Sequence, residues 1–318
     1  MKFATGMWGF VALGLANSAS AALVGPAGDY NVFIFGSGSF MSTNTDTMGN
    51  LAAGGNVSLM NYAVAQGIAG NSALNPNPAR LVVGGKLTAQ NGGVGSNQNG
   101  AIYYGTVAPT IVNNSFTARG GQFANQSLVD FNAAASLYTG YSAQLGNLTA
   151  TGSTSFNSSS DLLDFTGTSG GLNVFTVSDT LLSSSKGIDI VAPTGSTVLI
   201  NVTGGGTATF SNGAVAETGV SGAAVLYNFV SATGLQLSPS GAGGKDPEGS
   251  ILAPLAAVTG GFGAMSGQLV AASYTGNTQF DQVTFSGNLP NPVPLPGAAF
   301  LFASGLMGLL SARRRAAV

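Results

Sequence analysis

The sequence predicts a mainly β chain: one solenoid-like domain of short stacked strands with a single α-helix packed alongside, set between two targeting segments. Three observations carry that expectation. Only 6% of residues are charged while 44% are hydrophobic and 49 are glycine. Ordinary globular domains are roughly 25% charged, and abundant Val, Ile and Leu argue for a buried core rather than disorder. An internal echo recurs after 30 residues, and turn-bounded β-rich runs continue to the end of the domain.

The N-terminus begins with one positive charge at Lys2, followed by an apolar core over Met7–Leu15 and the A-x-A site Ala19-Ser20-Ala21. This is the pattern of a secretory signal peptide, with cleavage between Ala21 and Ala22. Residues 1–21 are therefore set apart from the fold.

In the domain, 22–288, the first strand candidate is Tyr30–Phe35. The echo follows. Leu51-Ala52-Ala53-Gly54-Gly55-Asn56-Val57 aligns with Leu81-Val82-Val83-Gly84-Gly85-Lys86-Leu87, and Asn61 and Val64 align with Asn91 and Val94. Stacked coils produce such a recurrence, each laying a short strand above the last. The Gly-Gly pairs mark corners that need positive φ or close approach between layers. Further strands are expected at Ile102–Tyr104, Leu172–Val177, Ile188–Val191, Thr197–Thr203, Val225–Val230, Ile251–Ala253 and Gln268–Ala272, each rich in β-branched or aromatic residues. Between them, Ser127-Leu128-Val129-Asp130 opens like a helix cap. Leu128, Phe131, Ala135, Tyr138 and Leu145 then recur at helical spacing until Gly146. The spacing predicts a helix of about 18 residues whose apolar stripe lies along the solenoid.

The tail, 289–318, runs from Val293-Pro294-Leu295-Pro296 through uncharged apolar residues to Arg313, Arg314 and Arg315. Twenty uncharged residues from Val293 to Ala312 are about the length of a membrane-spanning helix, and the arginines would stay cytoplasmic. This order of parts resembles the PEP-CTERM sorting signal of Gram-negative bacteria, although Leu295 stands where that pattern has Glu. The resemblance implies transient anchoring in the inner membrane and processing by an exosortase, with the domain exported to the cell surface or extracellular matrix. A plain membrane anchor is the alternative.

Composition excludes several functions. Removing Lys2 and the three arginines from the nine basic residues leaves five against 11 acidic, a net charge of −6. That argues against nucleic acid as a partner. The chain has no cysteine and no histidine, so disulfides, Ser-His-Asp or Cys-His catalysis, and His- or Cys-based metal sites are out of reach. Asp161 with Asp164, and Asp246 with Glu248, are the carboxylate pairs left for a glycosidase-like reading, and they read as loop acids. No D-x-D-x-D-G calcium loop occurs, and Gly204-Gly205-Gly206 lacks the lysine of a phosphate loop. No cofactor is expected. Thr43, Thr45 and Thr47 alternate, so in a plain strand they would share one side. They are the candidate binding face, with ordered water, ice or a surface ligand in view.

The runs Tyr30–Gly36, Leu51–Val57, Leu81–Gly85, Val129–Phe131, Leu199–Val202, Leu226–Phe229 and Ile251–Pro254, in that order, resemble the choice-of-anchor A domain. The resemblance implies an ice-binding-like adhesive domain, a right-handed β-solenoid with a helix alongside, and no transferable catalytic residue. Together these readings predict a non-enzymatic, surface-anchored or matrix adhesin, with exopolysaccharide or another surface ligand as partner. An ice-binding protein and a carbohydrate-active enzyme are the alternatives.

Overall fold

A computed structural model describes residues 23–69, 79–124, 128–210, 215–237 and 248–292. Ala21 and Ala22 of the cleavage site, and Val293, Pro294, Leu295, Pro296, Arg313, Arg314 and Arg315 of the sorting signal, lie outside the described residues. No helix among those described is long and apolar enough to cross a membrane.

The chain forms a three-faced β-solenoid. The first face carries ten parallel strands. In spatial order, Gly121–Phe123, Ala101–Tyr104, Leu81–Val83, Leu51–Ala53 and Val32–Ile34 come from the N-terminal half. The start of Leu269–Gly276, the start of Ser250–Gly260, then Val225–Phe229, Thr197–Thr203 and Leu172–Ser178 come from the C-terminal half. The halves join in mid-stack, where Val32 pairs with Leu269. The echo is confirmed as register: Leu51 pairs with Leu81, and Val57 with Leu87.

These strands read as unbroken apolar runs because both sides are buried. Val32, Leu51, Leu81, Tyr227 and Ile251 enter the solenoid core. Their neighbours Phe33, Ala52, Val82, Leu226 and Leu252 enter a second layer beneath the helix. That helix, α1 (Phe131–Gly146), is about 24 Å long, enough to cross five coils at roughly 4.8 Å each. It starts beside Phe33, whose ring lies 5.7 Å from that of Phe131. It ends where Asn201 Nδ2 donates to the Leu145 carbonyl at 2.9 Å. α1 thus returns the chain from the N-terminal stack to the far end of the C-terminal one.

Two details of α1 differ from the sequence reading. The cap is Asp130, whose carboxylate accepts from the Asn132 and Ala133 amides, and helical backbone begins only after it. Gly146 is the last helical residue rather than the one beyond it, with Asn147 as cap. A second helix, α2 (Asp179–Ser184), capped by Ser178, was not expected; it fills the place of a strand near the C-terminal stack's end. The Gly-Gly corners serve close approach, not positive φ. A Cβ on Gly84 would lie 2.4 Å from the Gly54 carbonyl oxygen, and one on Gly85 2.6 Å from Gly55.

The packed domain also runs past residue 288. Leu289 is buried, Tyr141 Oη donates to the Pro290 carbonyl at 2.9 Å, and Gln144 Nε2 donates to that of Asn291 at 2.9 Å. Residues 285–291 form a strap across α1 on the first face.

Candidate functional site

The outer side of the first face is buried beneath α1 and the segments that pack with it, among them Phe123, Leu128, Phe285 and Leu289, which leaves outer sides of the second and third faces to meet solvent. The second face comprises the first parts of Phe40–Thr47, Val57–Val64 and Leu87–Val94, the short strand Thr110–Ile111, the later parts of Ser250–Gly260 and Leu269–Gly276, and Gly234–Leu237 and Thr207–Phe210. Alternation fixes its chemistry. Phe40, Val57, Leu87, Tyr274, Val258, Leu235 and Ala208 point into the core, leaving their sequence neighbours outside.

Those neighbours stand in one continuous column. Thr209 pairs with Gln236, then in turn Thr259, Thr275, Met41, Ser58, Thr88 and Thr110. Eight parallel coils at roughly 4.8 Å make the column about 34 Å long. Thr207, Gly234, Ala257 and Ser273 form a second column two residues along each strand, about 6.7 Å away. The result is a flat, uncharged, hydroxyl-rich surface, interrupted near its middle by the exposed Met41 and Met60.

The predicted trio is divided. Asn44 takes φ 56°, as do its stacked equivalents Asn61 and Asn91 at 50° and 52°. This left-handed corner, cheapest for Gly and Asn, shifts the alternation by one residue. Thr43 remains on the second face, in register with Met60. Thr45 moves round the corner opposite the buried Tyr62, and Thr47 is fully buried with its hydroxyl bonded to that tyrosine's hydroxyl. Thr43, Thr45 and Thr47 therefore do not form one face. The corner is held by an amide ladder, with Asn91 Nδ2 donating to Asn61 Oδ1 at 2.9 Å and Asn61 Nδ2 to Asn44 Oδ1 at 2.7 Å. The sequence signal for the hydroxyl columns of the second face was Thr207-Ala208-Thr209, whose alternate threonines both lie on it.

The acids read as loop residues are dispersed. Asp161 is ion-paired to Lys186, whereas Asp164 lies beside Asp189 on a separate four-stranded sheet and accepts from Ser155 Oγ at 3.4 Å. Asp246 is outside the described residues. Two carboxyls are perturbed among the described residues: burial, then the like charge of Glu248, pushes Glu217 up to about 7, with the Gly222 amide offsetting part of this, and burial, then Asp281, raises Asp46. Tyr227, whose hydroxyl is buried beside Glu217 and Glu248, is pushed well above the ordinary tyrosine range by burial. Among the described residues no group of His, Cys, Asp and Glu is arranged to hold a metal ion.

The family model described as "Putative Ice-binding-like adhesive domain" matches residues 23–282. No curated protein matches. Among solved structures, the ice-binding protein LeIBP from an Arctic yeast, studied for its antifreeze activity, is similar over 86% of this chain and 98% of its own, at 11% identity and a TM-score of 0.34.

Proposed function

We propose an adhesive role at the cell surface for this chain, on the premise that it belongs to the ice-binding-like adhesive domain family. The observation that carries the proposal is the eight-coil column along the second face, Thr, Ser and Gln at every position but Met41. A rigid row of hydroxyl and amide groups at fixed spacing suits many weak, simultaneous contacts with a repeating polymer, where avidity replaces single-site affinity. Exopolysaccharide of the cell's own matrix is the partner in this reading. The reading is non-catalytic, since histidine and cysteine are lacking and Asp161 is held in an ion pair. Export, exosortase processing and inner-membrane anchoring rest on the two ends of the sequence.

The test is retention of the full chain on matrix polysaccharide, compared with Thr259→Tyr and Thr275→Tyr, which place rings on the flat column. Retention should fall at least tenfold while the melting temperature holds; unchanged retention in both variants refutes the assignment of this face. Intact mass of protein recovered from cells and medium tests the tail, since a chain ending near Pro294–Pro296 supports sorting and one keeping Arg313–Arg315 supports a plain anchor. A second reading, ice as the ligand, is favoured by the two-dimensional regularity of the same columns. It predicts thermal hysteresis that the two tyrosine variants abolish.

A further inference from the structure

We propose a second binding site, on the third face, for a carboxylate-bearing saccharide. The third face carries the later halves of Phe40–Thr47, Val57–Val64 and Leu87–Val94, followed by Phe116–Thr117. Along its outer side Asp46, Ala63, Gly93 and Thr117 stand in register. The small residues at 63 and 93 open a cleft of about 450 Å³, walled by Gln66, Asn97, Gln98 and Arg119. That volume lies within the usual range of small-ligand sites, roughly 300–1,000 Å³.

The glycines of the floor are dictated by packing. A Cβ on Gly92, at φ 142°, would lie 1.9 Å from the Tyr62 carbonyl oxygen, and one on Gly93 2.7 Å from that of Thr117. The rim is built at a conformational cost. Asn97 and Gln98 are consecutive left-handed residues, with φ 53° and 61°, a conformation that side chains with a Cβ disfavour. They are held there by Gln98 N donating to the Gly95 carbonyl at 2.9 Å and by Arg119, whose backbone N donates to the Gln98 carbonyl at 2.8 Å. Arg119 Nη1 also donates to the Asn97 carbonyl at 3.0 Å. That bond fixes the guanidinium at the cleft while using one of its five N–H donors.

The lining chemistry selects the ligand. Three amide side chains can each donate to and accept from hydroxyls, and the guanidinium matches a planar carboxylate. No aromatic ring lines the cleft, so it offers none of the stacking surface that suits a neutral sugar ring. The acid in the same column, Asp46, is two strands from Gly93, about 10 Å. The ligand's carboxylate therefore belongs at the Arg119 end, with hydroxyls toward Ala63. This site is independent of the flat-column reading.

The experiment is titration calorimetry on the full chain in detergent micelles, with trigalacturonate, its methyl ester and maltotriose. Trigalacturonate should bind, and the two uncharged ligands should bind at least tenfold more weakly. Arg119→Gln, at an exposed side chain, should weaken trigalacturonate binding by about tenfold or more, and Ala63→Trp should block it by filling the cleft. Thr259→Tyr should leave it unchanged, which separates this site from the second face. Melting curves verify that each variant is folded. The proposal is overturned by absence of trigalacturonate binding, by equal binding of maltotriose, by undiminished binding in Arg119→Gln, or by equally tight competition from inorganic phosphate.

Discussion

Replacing Asn228 with leucine should weaken the attachment of α1 to the solenoid although it removes no apolar contact. Asn228 is fully buried between the helix and the first face. Its Oδ1 accepts from Ser142 Oγ at 2.6 Å, and its Nδ2 donates to the Ser142 carbonyl at 3.0 Å and to Asn201 Oδ1 at 2.8 Å. Leucine is nearly the same size, so no cavity forms. It strands the Asn201 oxygen and the Ser142 hydroxyl, each also buried, at about 1–3 kcal/mol apiece. The sum is about 2–6 kcal/mol, which at roughly 2 °C per kcal/mol for a domain of this size lowers the melting temperature by roughly 4–12 °C. Thermal unfolding followed by circular dichroism measures it. Combining the change with Ser142→Ala removes one stranded group, so the double variant should be about 1–2 kcal/mol more stable than additivity predicts. A single variant within about 0.5 kcal/mol of the parent, or strictly additive changes, would refute the claim that this buried network is coupled.

Gly84→Ala should destabilise by about 1–3 kcal/mol, because its Cβ would press on the backbone oxygen of Gly54 2.4 Å away and that layer cannot withdraw; urea denaturation checks it, and an unchanged midpoint would show that the coils separate freely. Stability should also fall with rising pH. The Glu217 carboxyl is raised from 4.5 to about 7 in the folded state, so the folded form holds a proton that the unfolded form has lost; the associated stability is complete below pH 4.5 and lost as pH rises through 7. After allowance for the partial exposure of the side chain this is about 1–2 kcal/mol. Glu217→Gln should remove that component of the pH dependence, and a denaturation series from pH 4 to 8 that gives parallel curves for both proteins would count against it.

Much of the fold was legible because its signals are local. The Leu51 and Leu81 runs differ by one whole coil, so their periodicity is the register itself. The stripe from Phe131 to Leu145 could belong only to a helix lying on an apolar surface. The hydroxyl column of the second face was illegible for two physical reasons. It joins Thr275 to Met41, residues from opposite ends of the domain brought together only because the halves meet at Val32 and Leu269. The coils also differ in length, with Val32 to Leu51 spanning 19 residues where Leu51 to Leu81 spans 30, so no single period exposes the column. The Thr43–Thr47 reading failed at one residue, Asn44, whose left-handed backbone ends the alternation. Its stacked equivalents Asn61 and Asn91 were visible as a match in the sequence, and asparagine's tolerance of that conformation was the available clue. α2 escaped notice because six residues are too few to show a helical stripe.

The strap across α1 determines how this domain would carry a pull. Force applied to the chain beyond residue 292 meets the Gln144–Asn291 bond first, then Tyr141–Pro290, then the Asn288 amide on Thr197 Oγ1. Behind them the Ser286 amide donates to the Ala223 carbonyl at 2.7 Å and the Phe285 amide to Gln268 Oε1 at 3.0 Å, and only then does the pull reach strands of the stack. These five bonds, with the buried side chains of Phe285 and Leu289 beneath them, would yield one at a time, as in peeling, whereas the parallel coils share load among many backbone bonds. If the chain is held from beyond residue 292, the strap would act as a mechanical fuse, giving way before the second and third faces deform, so that a ligand on either face would stay held while the strap absorbs the extension.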